Sequence, residues 1–243
     1  MTRTRLAALT AAALWTACSF AAASTFKTIT IDGDYSDWVG VPVLDSDGGD
    51  NFSGPDIGET QIANDNQYLY IRNAFPNNLS LGTFISIDID KNPATGFDIF
   101  GLGLIGAEAG WQNDFGFAQD TGVFNSGGLT GNFFGGGHAL LDAFANSGSR
   151  ELAISLSAMR AAGGAIFPDN VVRLLIWTDL GTGADGLPLG FPGDDGRNYD
   201  VSGVIEYTLA VPEGSSALMM LAAVGGLGAA RGREKRGATP HPS

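Results

Sequence analysis

The chain has 243 residues, with 26 acidic against 13 basic side chains, a formal charge of −13 and one cysteine. That charge argues against a nucleic-acid binder, which needs a basic stripe to neutralise phosphates. One cysteine leaves no disulfide framework and no cysteine-rich zinc site, and 44% hydrophobic residues set the chain apart from a solvated acidic tail.

Residues 1–24 read as an export signal. Arg3 and Arg5 supply the positive start, residues 6–17 the apolar stretch, and Ala21, Ala22, Ala23 and Ser24 the small residues of a cleavage point. The apolar stretch falls short of the roughly 20 residues a spanning helix needs, so removal is expected rather than a retained anchor. Cys18 leaves with the leader.

The body that follows, residues 25–210, is written in short alternating runs. Residues 27–31 alternate polar and apolar, and a polar turn at Asn64-Asp65-Asn66 precedes the β-rich run from Tyr68 to Arg72. Residues 83–90 read TFISIDID, a strict period of two, and residues 150–157 read RELAISLS. One short helix is expected at about residues 156–162, ended by Gly163-Gly164. Residues 171–178 read VVRLLIWT, and residues 204–209 close the series. The glycine-rich run 127–137 reads as a loop or hairpin region. Such runs, separated by Gly, Asn, Asp and Pro, predict an all-β fold: a single antiparallel β-sandwich with long Asp/Gly-rich loops. The body keeps seven basic and 24 acidic residues, hence −17, and twenty of those acids are aspartates. Aspartate favours turns, caps and calcium loops over helix surfaces.

The chain ends in residues 211–243, where Val211-Pro212-Glu213-Gly214-Ser215-Ser216 leads into an apolar stretch and then Arg231, Arg233, Lys235 and Arg236. This order resembles the PEP-CTERM sorting signal of Gram-negative bacteria, with Gly214 standing where that family has its second proline. The resemblance implies transient inner-membrane contact through a short C-terminal helix stopped by cations, then cleavage by a sorting and processing enzyme. An ordinary C-terminal anchor is the other reading. Ile31-Asp32-Gly33-Asp34-Tyr35-Ser36-Asp37-Trp38 resembles the opening of carbohydrate-binding modules of the family 9 type and their DOMON-like relatives. Ala63 to Tyr70 and Asp88-Ile89-Asp90-Lys91-Asn92-Pro93-Ala94-Thr95-Gly96-Phe97 are similar to two further motifs of that group. The resemblance implies a β-sandwich that often binds sugars, with Trp38 in a structural role.

Two kinds of candidate site follow. Each predicted strand pairs an aliphatic face with one carrying aromatics beside Arg, Ser or Asp. Tyr70, Arg72, Arg173 and Trp177 lie on such faces. Trp111 sits in a predicted loop beside the amides Gln112 and Asn113, with Phe115, Phe117 and Phe124 close by, where it could stack on a sugar ring or plug one end of the sandwich. Joined, the faces would suit a polysaccharide, rings stacking on sugar and charged planar groups bonding hydroxyls; an amphipathic outer sheet with incidental aromatics is the plainer alternative. Asp88, Asp90, Asn92 and Asp98 offer hard oxygens in the manner of a calcium loop, although not with EF-hand spacing. Asp45, Asp47 and Asp50 form a second acidic cluster, and Asp194, Asp195 and Asp200 a third; turn chemistry is the alternative for all three. Catalysis has no comparable support: His138 is the only histidine of the body, and no nucleophile elbow or phosphate loop occurs. The sequence thus points to an exported, surface-sorted, non-catalytic sandwich that binds carbohydrate, with calcium steadying its loops. A structural, acidic matrix protein without a specific sugar is the alternative.

Overall fold

Alternating runs rich in Ile, Thr, Val and aromatics form strands in the computed structural model, which describes residues 24–51, 54–130, 139–141, 145–178 and 200–212. A five-stranded sheet runs in the order β1 (Val43–Ser46), β2 (Glu59–Asn64), β3 (Tyr68–Ala74), β11 (Ser149–Ser155) and β10 (Ala139–Leu141). A second sheet runs β12 (Met159–Arg160), β9 (Val123–Thr130), β8 (Phe115–Asp120), β7 (Ala109–Gln112), β4 (Thr83–Asp88), β13 (Val171–Thr178) and β14 (Asp200–Val201). β15 (Ile205–Thr208) also pairs with β13, and β5 (Phe97–Asp98) with β6 (Gly106–Ala107) makes a small ribbon. These strand pairs are all antiparallel. The leader, Asp194, Asp195, His138 and nearly all of the C-terminal signal lie outside the described residues.

The period of two sorts each strand into an inner and an outer face. Ile62, Leu69, Ile71, Leu152 and Ile154 of the first sheet meet Ile85, Ile87, Trp111, Val172, Leu174 and Ile176 of the second in one buried cluster. Each such side chain removed from water contributes roughly 1.5–3 kcal/mol.

Both outer faces are covered as well. Ile29, Trp38 and Val41 pack across the first sheet on Ala63, Tyr70 and Ala153. Asp34 caps the 3-10 turn Tyr35–Trp38 by accepting from the Ser36 N–H. Glu151, fully buried, anchors this cover. Its Oε1 accepts the Asp32 and Gly33 N–H groups at 2.8 Å each, and its Oε2 accepts from Trp38 Nε1 at 2.8 Å. β11 is consequently buried along its whole length. Over the second sheet, Ile99, Ile105 and Ala107 pack on Leu175 and Trp177.

Two expectations change. Residues 27–31 form the cover rather than a strand; only Phe26 makes a bridge, to Asn64. Residues 156–162 form no helix. Met159–Arg160 pairs with β9 instead, and Gly163 (φ 96°) with Gly164 (φ 104°) turns the chain so that Arg160 N–H meets the Gly164 carbonyl. A seven-residue helix has little stability of its own, whereas Gly-Gly suits a tight hairpin. The helical segments among the described residues are the 3-10 turns Tyr35–Trp38 and Ile99–Gly101.

The two ends of the sandwich meet at Asn64. Its N–H donates to the Thr25 carbonyl, its Nδ2 to the Ala210 carbonyl, and its Oδ1 accepts from Ala210 N–H and the Tyr207 hydroxyl.

Candidate functional site

The aromatic and basic residues picked out in the sequence do not share one surface. Tyr70 and Arg72 sit on the outer face of the first sheet, beneath the 27–41 cover. Burial and then the Asp65 carboxylate, which accepts the Tyr70 hydroxyl at 2.7 Å, raise the Tyr70 pKa above its ordinary value. Arg72 lies over the Tyr35 ring at 4.9 Å and donates to Ser149 Oγ and Gln61 Oε1. Trp111 belongs to β7, not to a loop. It points between the sheets and is 2% exposed. Trp177 and Arg173 share the outer face of the second sheet. Trp177 is 4% exposed, stacked on Phe84 at 4.3 Å, edged by Phe100 and Phe124, and hydrogen-bonded through Nε1 to Ser86 Oγ. The alternation named these faces correctly, but the strands divide between two sheets, and each face has a cover donated from elsewhere in the chain.

What the second sheet does present is a row in register: Phe115 opposite Gln112, Gln112 opposite Phe84, and Phe84 opposite Trp177. Phe115 is 40% exposed, and Phe124, which packs on Trp177 and Phe97, is 39% exposed. Beside them Asn125 Oδ1 accepts from Gln112 Nε2 and from Gln119 Nε2, each at 2.9 Å. Trp177 is the floor of this row, and Phe115 and Phe124 are its accessible rings. The amides Gln119 and Asn125 carried no signal of their own in the sequence, and Gln112 only that of standing next to Trp111.

The acidic loop after β4 is organised by its own side chains. Asn92 N–H donates to Asp88 Oδ1 at 3.0 Å and to Asp90 Oδ1 at 2.9 Å, and the Thr95 hydroxyl donates to Asp90. Gly106 lets the loop close, for a Cβ there would lie 1.7 Å from the Thr95 carbonyl oxygen. Asp88, buried, pairs with Arg173 at 3.1 Å, and that guanidinium also donates to the Lys91 and Leu104 carbonyls. Burial raises the Asp88 pKa, against the opposing pull of Arg173.

Three carboxylates, Asp88, Asp90 and Glu108, converge here with oxygens within 4.8 Å of one another. Glu108 is the member the sequence reading missed. It is 8% exposed; its Oε2 accepts the Ile89 N–H at 2.8 Å, and its Oε1 is buried without a partner. Burial, with the charges of Asp90 and Asp88, raises its pKa. Asn92 uses its side-chain oxygen to accept from Ala94 N–H, and Asp98 turns away to accept from Gly103 N–H. Among the carboxylates the converging set is therefore Asp88, Asp90 and Glu108, with Asp98 outside it. Hard oxygens around an orphaned carboxylate oxygen fit a divalent cation of the calcium type.

An all-β sandwich with cation-compatible acidic loops is the class this geometry defines. Comparison of the chain with family models, with curated proteins and with solved structures finds no match in any of the three.

Proposed function

We propose that the body is a non-catalytic, exported binding module for carbohydrate, of the kind found in an extracellular matrix polysaccharide, with calcium steadying the 88–108 loop. The observation that carries this reading is the row Phe115–Gln112–Phe84–Trp177 with Phe124 and Asn125 beside it. Exposed rings next to amides suit the apolar face and the hydroxyl edge of a sugar. With Trp177 covered, the open part of the row runs over three strands from Phe115 to the half-buried Phe84, about 10 Å at about 4.8 Å per strand, which is room for one or two sugar rings. The leader and the tail pattern support export and surface sorting, with the processing enzyme as a partner; among the described residues no helix is long and apolar enough to cross a membrane.

A glycan array with the full chain, with and without calcium, tests this. Phe124→Ala and Phe115→Ala should each weaken retention about tenfold, the loss of roughly 1.4 kcal/mol. Absence of any retained glycan at millimolar ligand, or full retention by both variants, sinks the carbohydrate reading. The charge of the body and its grouped carboxylates favour a second reading, an acidic matrix protein bridged by cations. Calcium-induced association without glycan binding would favour it.

A further inference from the structure

We propose that Asp47, Asp50 and Asp200 form a second divalent-cation site, built for calcium, that ties the loop between β1 and β2 to the start of β14. It uses none of the residues of the 88–108 loop and stands or falls separately from it. The sequence places these acids in two clusters some 150 positions apart; the fold brings their carboxylate oxygens within 4.8 Å of one another.

Asp200 supplies the independent observation. It is 2% exposed, its Oδ2 accepts the Ile57 N–H at 2.5 Å, and its Oδ1 is buried with no hydrogen-bond partner. A buried carboxylate oxygen facing other carboxylates costs desolvation with no return. Burial first, then the charges of Asp50, Asp47 and Asp56, push the Asp200 carboxyl up to about 7. A cation among these groups turns that repulsion into attraction.

The neighbouring acids are committed elsewhere, which defines the donor set. Asp56 accepts the N–H groups of Gly49, Asp50 and Asn51, curling that stretch around its carboxylate and fixing Asp50. Asp45 accepts the Gly203 N–H at 3.0 Å, pinning the end of β1 beside β14. Asp47 and Asp50 are exposed, so an ion has a path in and water can complete its shell. Three carboxylates without nitrogen or sulfur select a hard cation. Calcium accepts such an irregular set more readily than magnesium, which demands near-ideal octahedral geometry.

Calorimetric titration of the full chain with calcium chloride, paired with melting in calcium and in chelator, tests the site on four proteins: wild type, D47N/D50N, D200N and D90N/E108Q. Saturating calcium should raise the wild-type Tm by about 5 °C or more. D47N/D50N should lose one calcium equivalent and part of that rise, and D90N/E108Q should keep the equivalent that D47N/D50N loses. D200N should cross over, melting at or above wild type in chelator, where it relieves repulsion, and below it in calcium. Wild-type stoichiometry and an unchanged calcium shift in D47N/D50N would overturn the site. So would a D200N variant whose Tm falls equally in both conditions, since that marks a purely structural acid. If D200N does not fold, the exposed pair D47N/D50N decides alone.

Discussion

Glutamate is scarce in this body: Glu59, Glu108, Glu151 and Glu206 stand among twenty aspartates. Two of the four, Glu108 and Glu151, are buried. The longer arm reaches groups that an aspartate on the same backbone would not touch. Glu151 illustrates the point, because two oxygens serve three N–H groups. Glu151→Gln keeps the size but turns an NH2 toward an N–H donor, so it should cost about 1–3 kcal/mol in denaturant unfolding. An unchanged midpoint would mean that apolar packing alone holds the 27–41 cover. The buried, structural place of Trp38 was legible from its motif. The partner of that motif was not, because Glu151 lies more than a hundred positions away. Glu108 was hidden for a different reason: it lies outside the Asp88–Phe97 motif, 19 positions after the Ile89 whose N–H it accepts, and only its rarity as a glutamate could have flagged it.

At the scale of elements, the period of two was enough to assign strands and their faces, as β4, β11 and β13 show. It was not enough to say which faces meet solvent. The covers over both sheets come from residues 27–41, where the alternation over 27–31 suggested one more strand, and from residues 97–107, and these bury the rings that looked available. The 97–107 cover depends on a close backbone approach at Gly106. Gly106→Ala should therefore cost about 3 kcal/mol and shift Trp177 emission toward the red, because the cover must lift to admit the new carbon. Gly101→Ala is the control: its φ of 70° carries backbone strain, yet its Cβ meets nothing within 4 Å. It should cost about 1–2 kcal/mol and leave the emission unmoved. Equal effects at the two positions would remove the close-approach account. The short helix expected near residue 160 failed for a related reason, since small residues before Gly-Gly fit a hairpin as well as a helix end.

For the whole molecule, the −17 body holds its acids in two ways. Among the described residues Asp56, Asp88, Glu108, Asp114, Glu151 and Asp200 are buried, while the other described acids keep some contact with water. Diffuse repulsion and grouped carboxylates respond differently to salt. Screening by monovalent salt acts over about 8–10 Å at 0.1–0.15 M and weakens all surface repulsion alike. In chelator, 150 mM sodium chloride should raise the Tm modestly over low salt. One millimolar calcium on top of that salt should add a further rise of about 5 °C. If calcium adds nothing once sodium chloride is present, diffuse charge explains everything and neither acidic group holds an ion. Fold class was thus readable from pattern and charge, whereas the pairing of Asp47 and Asp50 with Asp200 required the topology that brings β14 beside β1.

The clasp at Asn64 has a mechanical consequence. Because Asn64, with the Tyr207 hydroxyl, holds both Thr25 and Ala210, a load applied to either end enters the body at the same corner. A tether on the C-terminal tail would pull against this corner, where the Tyr207 hydroxyl also bonds Thr25, and tension between the two ends would be borne at the margins of β2 and β15. The rest of the sandwich hangs outside the line of force, free to keep its shape while its anchor is stretched.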